Sequence, residues 1–382
     1  MTRYERLEAA WNLKEPDRVP VTPINCYIIA YLGGITIKEM FTCPEKLIRA
    51  TIKCSDIIGD NVDPNITTLD HFSILGKSGW DQATLDWRIE DHFPPQGNIP
   101  SFFEKCIIED YEDVMERGFS TILFNKKICK DVFERSIDEF LFYEFEYPSI
   151  YAQAWRKYVE EYEVPLLMGG RACHPLDLLQ YYRGISQLTE DIFERPEKVK
   201  EMCEFLLEYE ITRAMQQAMT MGAGEVPGAE VIFFINGGPP GMPPRIFNEF
   251  YWPYAKKAVD TWVKRGFKVY NHWDNDLTPH LETIRDITKS LPPGKVCIDF
   301  EKTDMKKAKE ILGDKVCIHG NVPSSLLVYG TPEEVDKYCK KLIEDCAEGG
   351  GYILGTECET PWNANPENVR AMIEAANRYG HY

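Results

Sequence analysis

The sequence predicts an α/β protein, a (β/α)8 TIM barrel with an insertion after the second strand. Two observations carry this prediction: short β-rich runs alternate with longer amphipathic segments, and most of the runs are apolar on both faces. Strands of a parallel sheet covered by helices have this character, and eight repeats are typical of a closed barrel. The predicted strands are Val19–Asn25, Ile57–Asp63, Val164–Gly170, Val231–Gly237, Phe267–Asp274, Lys295–Phe300, Lys315–Val322 and Tyr352–Cys358.

Helix-capping patterns support the alternation. Thr331 and Asn365 each precede a Pro-Glu pair, which places an N-cap residue, a proline at the first helical position and an acid in the first turn. The glycines at 349–351 end one helix and let the chain turn into the eighth strand. The predicted helices between the later strands are Pro196–Met221, Pro244–Lys264, Leu277–Ser290, Met305–Leu312 and Pro332–Cys346.

The 382 residues are predicted to form one barrel domain, residues 1–382, because barrels of this kind reach such lengths as single domains. Residues 67–160 break the strand-helix rhythm, and no Ser- or Gly-rich linker flanks them. We interpret them as an insertion that forms a lid over the barrel mouth, a structural element or a homodimer contact.

Composition excludes several classes of function. A formal net charge of −18 argues against nucleic-acid binding, which depends on clustered Lys and Arg. No apolar run is long enough for a membrane span, and the N-terminus has no signal-peptide apolar region. The 12 cysteines include no C-x-x-C pair, which favours reduced thiols. The expected location is the cytoplasm.

The ends of the fifth and eighth predicted strands carry metal-ligand chemistry. His272 and Asp274 alternate by two and project to the same side of their strand, and Cys358 follows a second buried run. Catalytic residues of barrels lie at the carboxyl ends of strands. An imidazole, a carboxylate and a thiolate are a usual ligand set for catalytic zinc, although a hydrogen-bonded strand end would explain the His-x-Asp pair equally simply.

Two further strand ends are candidates for catalysis. Glu301 follows the sixth predicted strand and would be a displaceable fourth ligand, or else a solvated acid beside Lys302. His319 ends the seventh strand and would act as a hydrogen-bond donor or proton shuttle.

Other polar residues at strand ends are expected to line the pocket. Asn25 and Asn236 lie at the ends of predicted strands and His174 follows one, although a structural role for His174 is equally consistent with its position. The loop that begins at Gly237 contains four prolines, which remove the N–H donors that a phosphate cradle requires. The sequence has no G-x-G-x-x-G, Walker or G-x-S-x-G motif, so dinucleotide and nucleotide chemistry are not expected.

Five segments, spread over nearly the whole chain outside the insertion, form a specific set when taken jointly. They are Arg6–Leu13 running into Glu15–Pro20, Arg245–Tyr254, Gly320–Pro323, Gly330–Val335 and Asn365–Ala371. In these segments the chain resembles the uroporphyrinogen decarboxylase superfamily. The resemblance implies a (β/α)8 barrel, in agreement with the strand count.

The superfamily comprises decarboxylases and corrinoid-dependent methyltransferases. The decarboxylases carry an arginine-rich segment after the first strand that binds porphyrinogen carboxylates, whereas Thr22–Gly33 contains no arginine. The chain is more similar to the methyltransferases, whose coenzyme M members bind zinc through a His-x-Cys pair and a distant Cys. His272, Asp274 and Cys358 stand at the corresponding positions, with aspartate replacing one cysteine. An oxygen ligand leaves less negative sulfur around the metal. Such a zinc site is better suited to activate a substrate through its oxygen than to activate a thiol substrate.

The resemblance therefore implies a methyltransferase that demethylates methoxylated aromatics. Zinc would act as a Lewis acid, a partner corrinoid protein would present Co(I) to receive the methyl group, and Trp273 and Tyr27 would wall the aromatic substrate. Three alternatives stay open. They are a decarboxylase or lyase of another carboxylate that uses Arg171 or Arg183 with His319, a methylcobalamin:thiol methyltransferase, and a non-catalytic barrel that binds corrinoid proteins.

Overall fold

The computed structural model describes residues 1–25, 27–36, 39–40, 43–59, 107–119, 136–138, 146–162, 168–238, 242–288 and 290–382. The strands are β1 Ile24–Asn25, β2 Gly170–Cys173, β3 Val231–Asn236, β4 Lys268–Trp273, β5 Val296–Phe300, β6 Cys317–Val322, β7 Tyr352–Thr356 and β8 Glu359–Thr360. Strands β2 to β7 form one six-stranded sheet in chain order, and β1 pairs with β8. Every strand pair is parallel, so the predicted α/β class is confirmed.

The N-terminal segment lies beside the last long strand. Val21 bridges Leu354 of β7 in parallel, and the Thr22 amide donates to the Leu354 carbonyl at 2.8 Å. The Leu354 amide in turn donates to the Pro20 carbonyl at 2.9 Å. The first and last predicted strands are therefore neighbours, which is the adjacency that a barrel requires.

Helices follow the strands and cover the sheet. An alanine Cβ at Gly170 would lie 2.0 Å from the Ala214 carbonyl, so a glycine lets the long helix Pro196–Met221 approach β2 closely. The described helices are Arg3–Trp11, Tyr27–Gly33, Pro44–Ile58, Tyr111–Arg117, Tyr147–Tyr162, Pro175–Tyr182, Ile185–Glu194, Pro196–Met221, Pro244–Ile246, Trp252–Lys264, Leu281–Thr288, Met305–Leu312, Ser324–Tyr329, Pro332–Cys346 and Pro366–Tyr379. A π-helical turn, Phe247–Tyr251, joins two of them, and a 3-10 turn, Thr278–His280, precedes another.

The predicted caps are present. The Thr331 side chain accepts a hydrogen bond from the Glu334 amide, and the Glu334 side chain accepts one from the Thr331 amide, which completes a capping box. The Asn365 side chain caps the last helix by accepting a hydrogen bond from the Glu367 amide. Glycines 349–351 all have positive φ, as the predicted turn into β7 requires.

The second predicted strand is wrong at its start. Ile57 and Ile58 belong to the helix Pro44–Ile58, whose buried residues Leu47, Cys54 and Ile58 recur at helical spacing. Residues 60–63 lie outside the described part of the chain. The third predicted strand shifts towards its C-terminus: residues 163–167 lie outside the description, and β2 begins at Gly170. The predicted fifth strand is therefore β4 in the structure.

Only parts of the predicted insertion, residues 67–160, are described. Its helices Tyr111–Arg117 and Tyr147–Tyr162 both contact Pro196–Met221, which flanks β2 and β3. The Tyr111 hydroxyl donates to buried Asp191 at 2.6 Å. These two helices are thus joined to the barrel layer, while the role of the segment as a lid stays a prediction.

The composition led to two expectations, one about membrane spans and one about disulfides, and the structure bears on both for the residues that it describes. No described helix is both long and apolar enough to cross a membrane. No disulfide joins the described cysteines, and seven of the nine are buried.

Candidate metal centre

The end of β4 places His272 at the centre of a group of polar side chains. Its ring is buried, with 5% of the residue exposed, and stacks on Phe233 of β3 at 5.6 Å between centroids. The strand register sets His272 opposite Asp299 of β5, and Asp299 opposite His319 of β6. Three neighbouring strands thus bring two imidazoles and one carboxylate to the same level of the sheet.

His272, Asp274 and Cys358 bring three potential metal ligands together. Their ligand atoms all lie within 4.8 Å of one another. The Nε2 atom of His272 is 3.0 Å from Asp274 Oδ1 and 3.8 Å from Cys358 Sγ. Cys358 was predicted as the last residue of a strand. In the structure β7 ends at Thr356, and Cys358 lies in the bend between β7 and β8. Its carbonyl accepts a hydrogen bond from Thr356, which anchors the bend to β7.

The charges of this group fit a divalent cation. Burial disfavours the imidazolium of His272, but the Asp274 and Asp299 carboxylates outweigh burial and raise the pKa of His272 well above its ordinary value. Burial raises the pKa of the Cys358 thiol to about 11. A cation would take the place of the protons on both groups. One imidazole, one thiolate and one carboxylate with a further position open is a donor set that fits catalytic zinc.

Behind His272 lies a fully buried hydrogen-bond network. Asp299 accepts from the Nδ1 atom of His272 through one oxygen and from the Nδ1 atom of His319 at 2.6 Å through the other. The Nε2 atom of His319 lies 2.8 Å from the Thr22 hydroxyl and 2.9 Å from the Thr22 carbonyl. Burial acts to raise the pKa of Asp299, but the two imidazoles lower it, so the carboxylate stays charged.

A cavity of about 460 Å³ adjoins Asp274. Its aromatic lining comes from Phe247, Tyr251, Trp273 and His280, and the His280 ring stacks on Phe247 at 4.0 Å. The buried Nε1 of Trp273 has no hydrogen-bond partner among the described residues. Asp274 belongs to both the ligand group and the cavity wall, so a molecule in the cavity would lie next to the metal position.

Asp177 is a residue of this region that the sequence analysis missed. Its buried carboxylate accepts from the Gly237 amide at 2.7 Å, the Gly238 amide at 2.8 Å and the Tyr251 hydroxyl at 2.7 Å. Burial raises its pKa to about 7, against these hydrogen bonds, which lower it. Asn275 donates to the carbonyls of the same two glycines. An acid in the first turn of Pro175–Tyr182 was visible in the sequence, but this position is also typical of ordinary helix capping.

The two residues predicted as catalytic lie apart from the three ligand atoms. The Glu301 carboxylate accepts from the Asn275 amide at 2.6 Å and pairs with Lys302 at 3.1 Å, so it joins two loops. His319 is fully buried. Both of its ring nitrogens are within hydrogen-bonding distance of oxygen atoms, which belong to Thr22, Tyr270 and Asp299. In the described structure His319 reaches the candidate ligands through Asp299 and not directly.

The four residues predicted to bind substrate occupy different environments. His174 is fully buried: its Nδ1 caps Pro175–Tyr182 through the Leu176 amide, and its Nε2 donates to the Tyr251 carbonyl. Burial lowers its pKa to about 3, and both ring nitrogens are engaged, which favours the structural role that the sequence left open. Asn236 and Asn25 are also fully buried at strand ends, and Asn236 donates to Asn271 at 2.5 Å. Trp273 alone of the four lines the cavity.

The chain matches known proteins in both sequence and structure. The family model described as "Uroporphyrinogen decarboxylase (URO-D)" matches residues 143–379. A uroporphyrinogen decarboxylase of Pseudoalteromonas translucida is 26% identical over 157 residues, which are 40% of this chain and 42% of that protein. A methylcobamide:CoM methyltransferase of Methanosarcina acetivorans is 26% identical over 224 residues, 58% of this chain and 60% of that protein.

The structural comparison supports the barrel fold. A methyltransferase from Methanosarcina mazei superposes with a TM-score of 0.68 at 18% identity, and the match covers 99% of both chains. The sequence matches are shorter. In them the chain spans less than two thirds of the length of these curated relatives. Since the family model covers more than half of the chain, and the fold is the (β/α)8 barrel predicted for it, the chain belongs to the uroporphyrinogen decarboxylase family.

Proposed function

We propose that this protein is a zinc-dependent methyltransferase that moves a methyl group from a methoxylated aromatic compound to the Co(I) corrinoid of a partner protein. The observation that carries the proposal is the convergence of His272, Asp274 and Cys358 within 4.8 Å at the sheet edge where barrels place their catalytic groups. The methylcobamide:CoM methyltransferase among its relatives supports this branch of the family.

In this proposal, zinc would supply Lewis-acid polarisation of the ether oxygen. His272, Asp274 and Cys358 would hold it, and Asp299 would orient the His272 ring through its Nδ1 atom. The corrinoid of the partner protein would supply the electron pair for the new bond to the methyl carbon, and the oxygen would leave as a phenolate that takes a proton.

The cavity beside Asp274 supports an aromatic donor. Aromatic rings of Phe247, Tyr251 and Trp273 contribute to its lining, and its volume of about 460 Å³ is sufficient for a substituted benzene ring. Trp273 would contribute its ring to this wall, since its Nε1 atom is buried. Substrate binding through Trp273 is therefore part of the proposal.

A methylcobalamin:thiol methyltransferase is the second candidate, favoured by the relative from Methanosarcina acetivorans. The decarboxylase alternative has less support from the site. Arg183 is engaged with Asp191 at 2.9 Å and with the Ile108 carbonyl, while His319 is enclosed in the core.

The test is a spectroscopic assay with zinc-loaded protein and Co(I) cobalamin under reducing conditions. A panel of methoxyarenes should produce the methylcobalamin absorbance, and Cys358→Ser should abolish it. Cys43→Ser is the matched control, since Cys43 is the other half-buried cysteine among the described residues. Demethylation of methylcobalamin by a thiol, with no reaction of any methoxyarene, would favour the second candidate. No methyl transfer in either direction would refute both.

A further inference from the structure

We infer that Asp299 and His319 are positioning residues that set the zinc affinity of the site. The inference rests on the proposed zinc centre and adds two residues that contribute no ligand atom to the group formed by His272, Asp274 and Cys358. Both are fully buried, so neither meets a substrate from solvent.

Asp299 determines which nitrogen of His272 faces the metal position. Its carboxylate accepts a hydrogen bond from the Nδ1 atom of the His272 ring. The Nε2 atom of the same ring therefore faces Asp274 and Cys358. A carboxylate that accepts a proton from the far nitrogen fixes the tautomer and ring orientation of a metal-binding histidine and makes it a stronger ligand.

His319 holds the Asp299 carboxylate in position. It donates to the second oxygen of Asp299 at 2.6 Å, so both carboxylate oxygens are occupied by imidazoles. The opposite nitrogen of His319 is held by Thr22, and the Tyr270 hydroxyl lies 2.8 Å from its Nδ1. Because each contact comes from a different strand or segment of the barrel, the carboxylate has no room to rotate away from His272.

The packing around His319 is correspondingly tight. A Cβ on Gly355 of β7 would lie 2.0 Å from the His319 Nε2 atom, so β7 has a glycine where the ring passes. The ring therefore occupies one position, enclosed by Thr22, Tyr270, Asp299 and Gly355. This enclosure fits a residue that positions Asp299.

The test measures zinc affinity by competition with a chromogenic chelator, independently of methyl transfer. Asp299→Asn preserves shape but cannot accept from both imidazoles, and we expect it to weaken zinc binding by about 10- to 100-fold. Thr22→Val removes only the hydroxyl that contacts His319 and should cause a smaller loss, on the order of a few-fold. Tyr352→Phe is the matched control: it removes a buried hydroxyl that donates to the Gly320 carbonyl at 2.7 Å, and it should leave zinc affinity unchanged.

The outcomes separate this inference from the function on which it rests. Zinc affinity in Asp299→Asn and Thr22→Val equal to that of the unsubstituted protein would overturn the inference and leave the zinc centre standing. If Asp299→Asn fails to fold, Thr22→Val decides, because valine is close in shape to threonine. An unsubstituted protein that binds no zinc would overturn both. Equal weakening by Tyr352→Phe would attribute the effect to general loosening of the barrel and would also overturn the inference.

Discussion

His272 Nε2 lies 3.0 Å from Asp274 Oδ1, and the two residues are separated by one position at the end of a single strand. Trp273, between them, turns its ring towards Phe247 and Trp252 on the helix side of the sheet. This alternation lets one strand end contribute both to the ligand group and to the cavity wall.

Replacing Asp274 by cysteine should strengthen zinc binding. A thiolate is a softer ligand than a carboxylate, so we expect the zinc affinity of Asp274→Cys to rise by about tenfold, while Asp274→Ala should lower it by a similar factor. Chelator competition measures both, and a stronger sulfur-to-cobalt absorbance in the cobalt-substituted Asp274→Cys protein would report direct ligation. Unchanged affinity in Asp274→Ala would mean that Asp274 is not a ligand.

Two glycine substitutions should lower stability by different amounts. In Gly355→Ala the new methyl group would meet His319 at 2.0 Å in a fully packed core, so we expect a loss of about 3 kcal/mol in the free energy of unfolding. In Gly237→Ala the nearest atoms are carboxylate oxygens of Asp177 and Asp274 at 3.5 Å, so the loss should stay below about 1 kcal/mol. Urea unfolding of the zinc-free proteins measures both. Similar losses would show that His319 moves aside.

Asp177 should make stability depend on pH. Burial raises its pKa to about 7 in the folded protein, whereas the ordinary value is 3.8, so the folded state binds the extra proton. This stabilising contribution is complete below about pH 4 and is lost as pH rises through about 7. Between pH 5 and 8 the free energy of unfolding should therefore fall on the order of 2 kcal/mol more in the unsubstituted protein than in Asp177→Asn. Parallel pH profiles from urea unfolding would contradict this assignment.

Two buried tryptophans should differ in their tolerance of phenylalanine. The Trp262 Nε1 donates to the Ile211 carbonyl at 3.2 Å, whereas the Trp273 Nε1 has no partner in the described structure. Trp262→Phe removes a hydrogen bond and Trp273→Phe does not, so Trp262→Phe should cost about 1 kcal/mol more than Trp273→Phe. Thermal or urea unfolding of the two variants gives the comparison. A larger cost for Trp273→Phe would point to a hydrogen bond that the structure does not show.

Much of the fold was predictable from local patterns. The runs that became β3 to β7 are rich in β-forming residues and buried on both faces, and Thr331 and Asn365 mark helix starts through their own side chains. Ile57 and Ile58 misled the prediction because a short apolar pair fits a strand as well as the last turn of a helix. His174 carried a signal that could have been used, because a proline follows it at the first helical position.

The candidate site was predictable only in part. Strand periodicity, together with the common edge at which parallel strands end, predicted that His272, Asp274 and Cys358 lie close together. The positions of Glu301 and His319 relative to that group were not predictable, because they depend on which loop or neighbouring strand each side chain faces. Asp177 had no distinguishing local signal, since its partners lie 60 to 74 residues away in the chain.

By itself, the sequence determined the order of strands and helices from β3 onwards, the caps and the three candidate ligands, because each depends on spacing within one element. The tertiary structure alone decided that Asp299 joins His272 to His319, that Asp177 holds the Gly237–Gly238 turn, and that Trp273 faces a cavity. These relationships depend on the register between neighbouring strands and on helix packing, and a shift of one residue would direct each side chain to the opposite face.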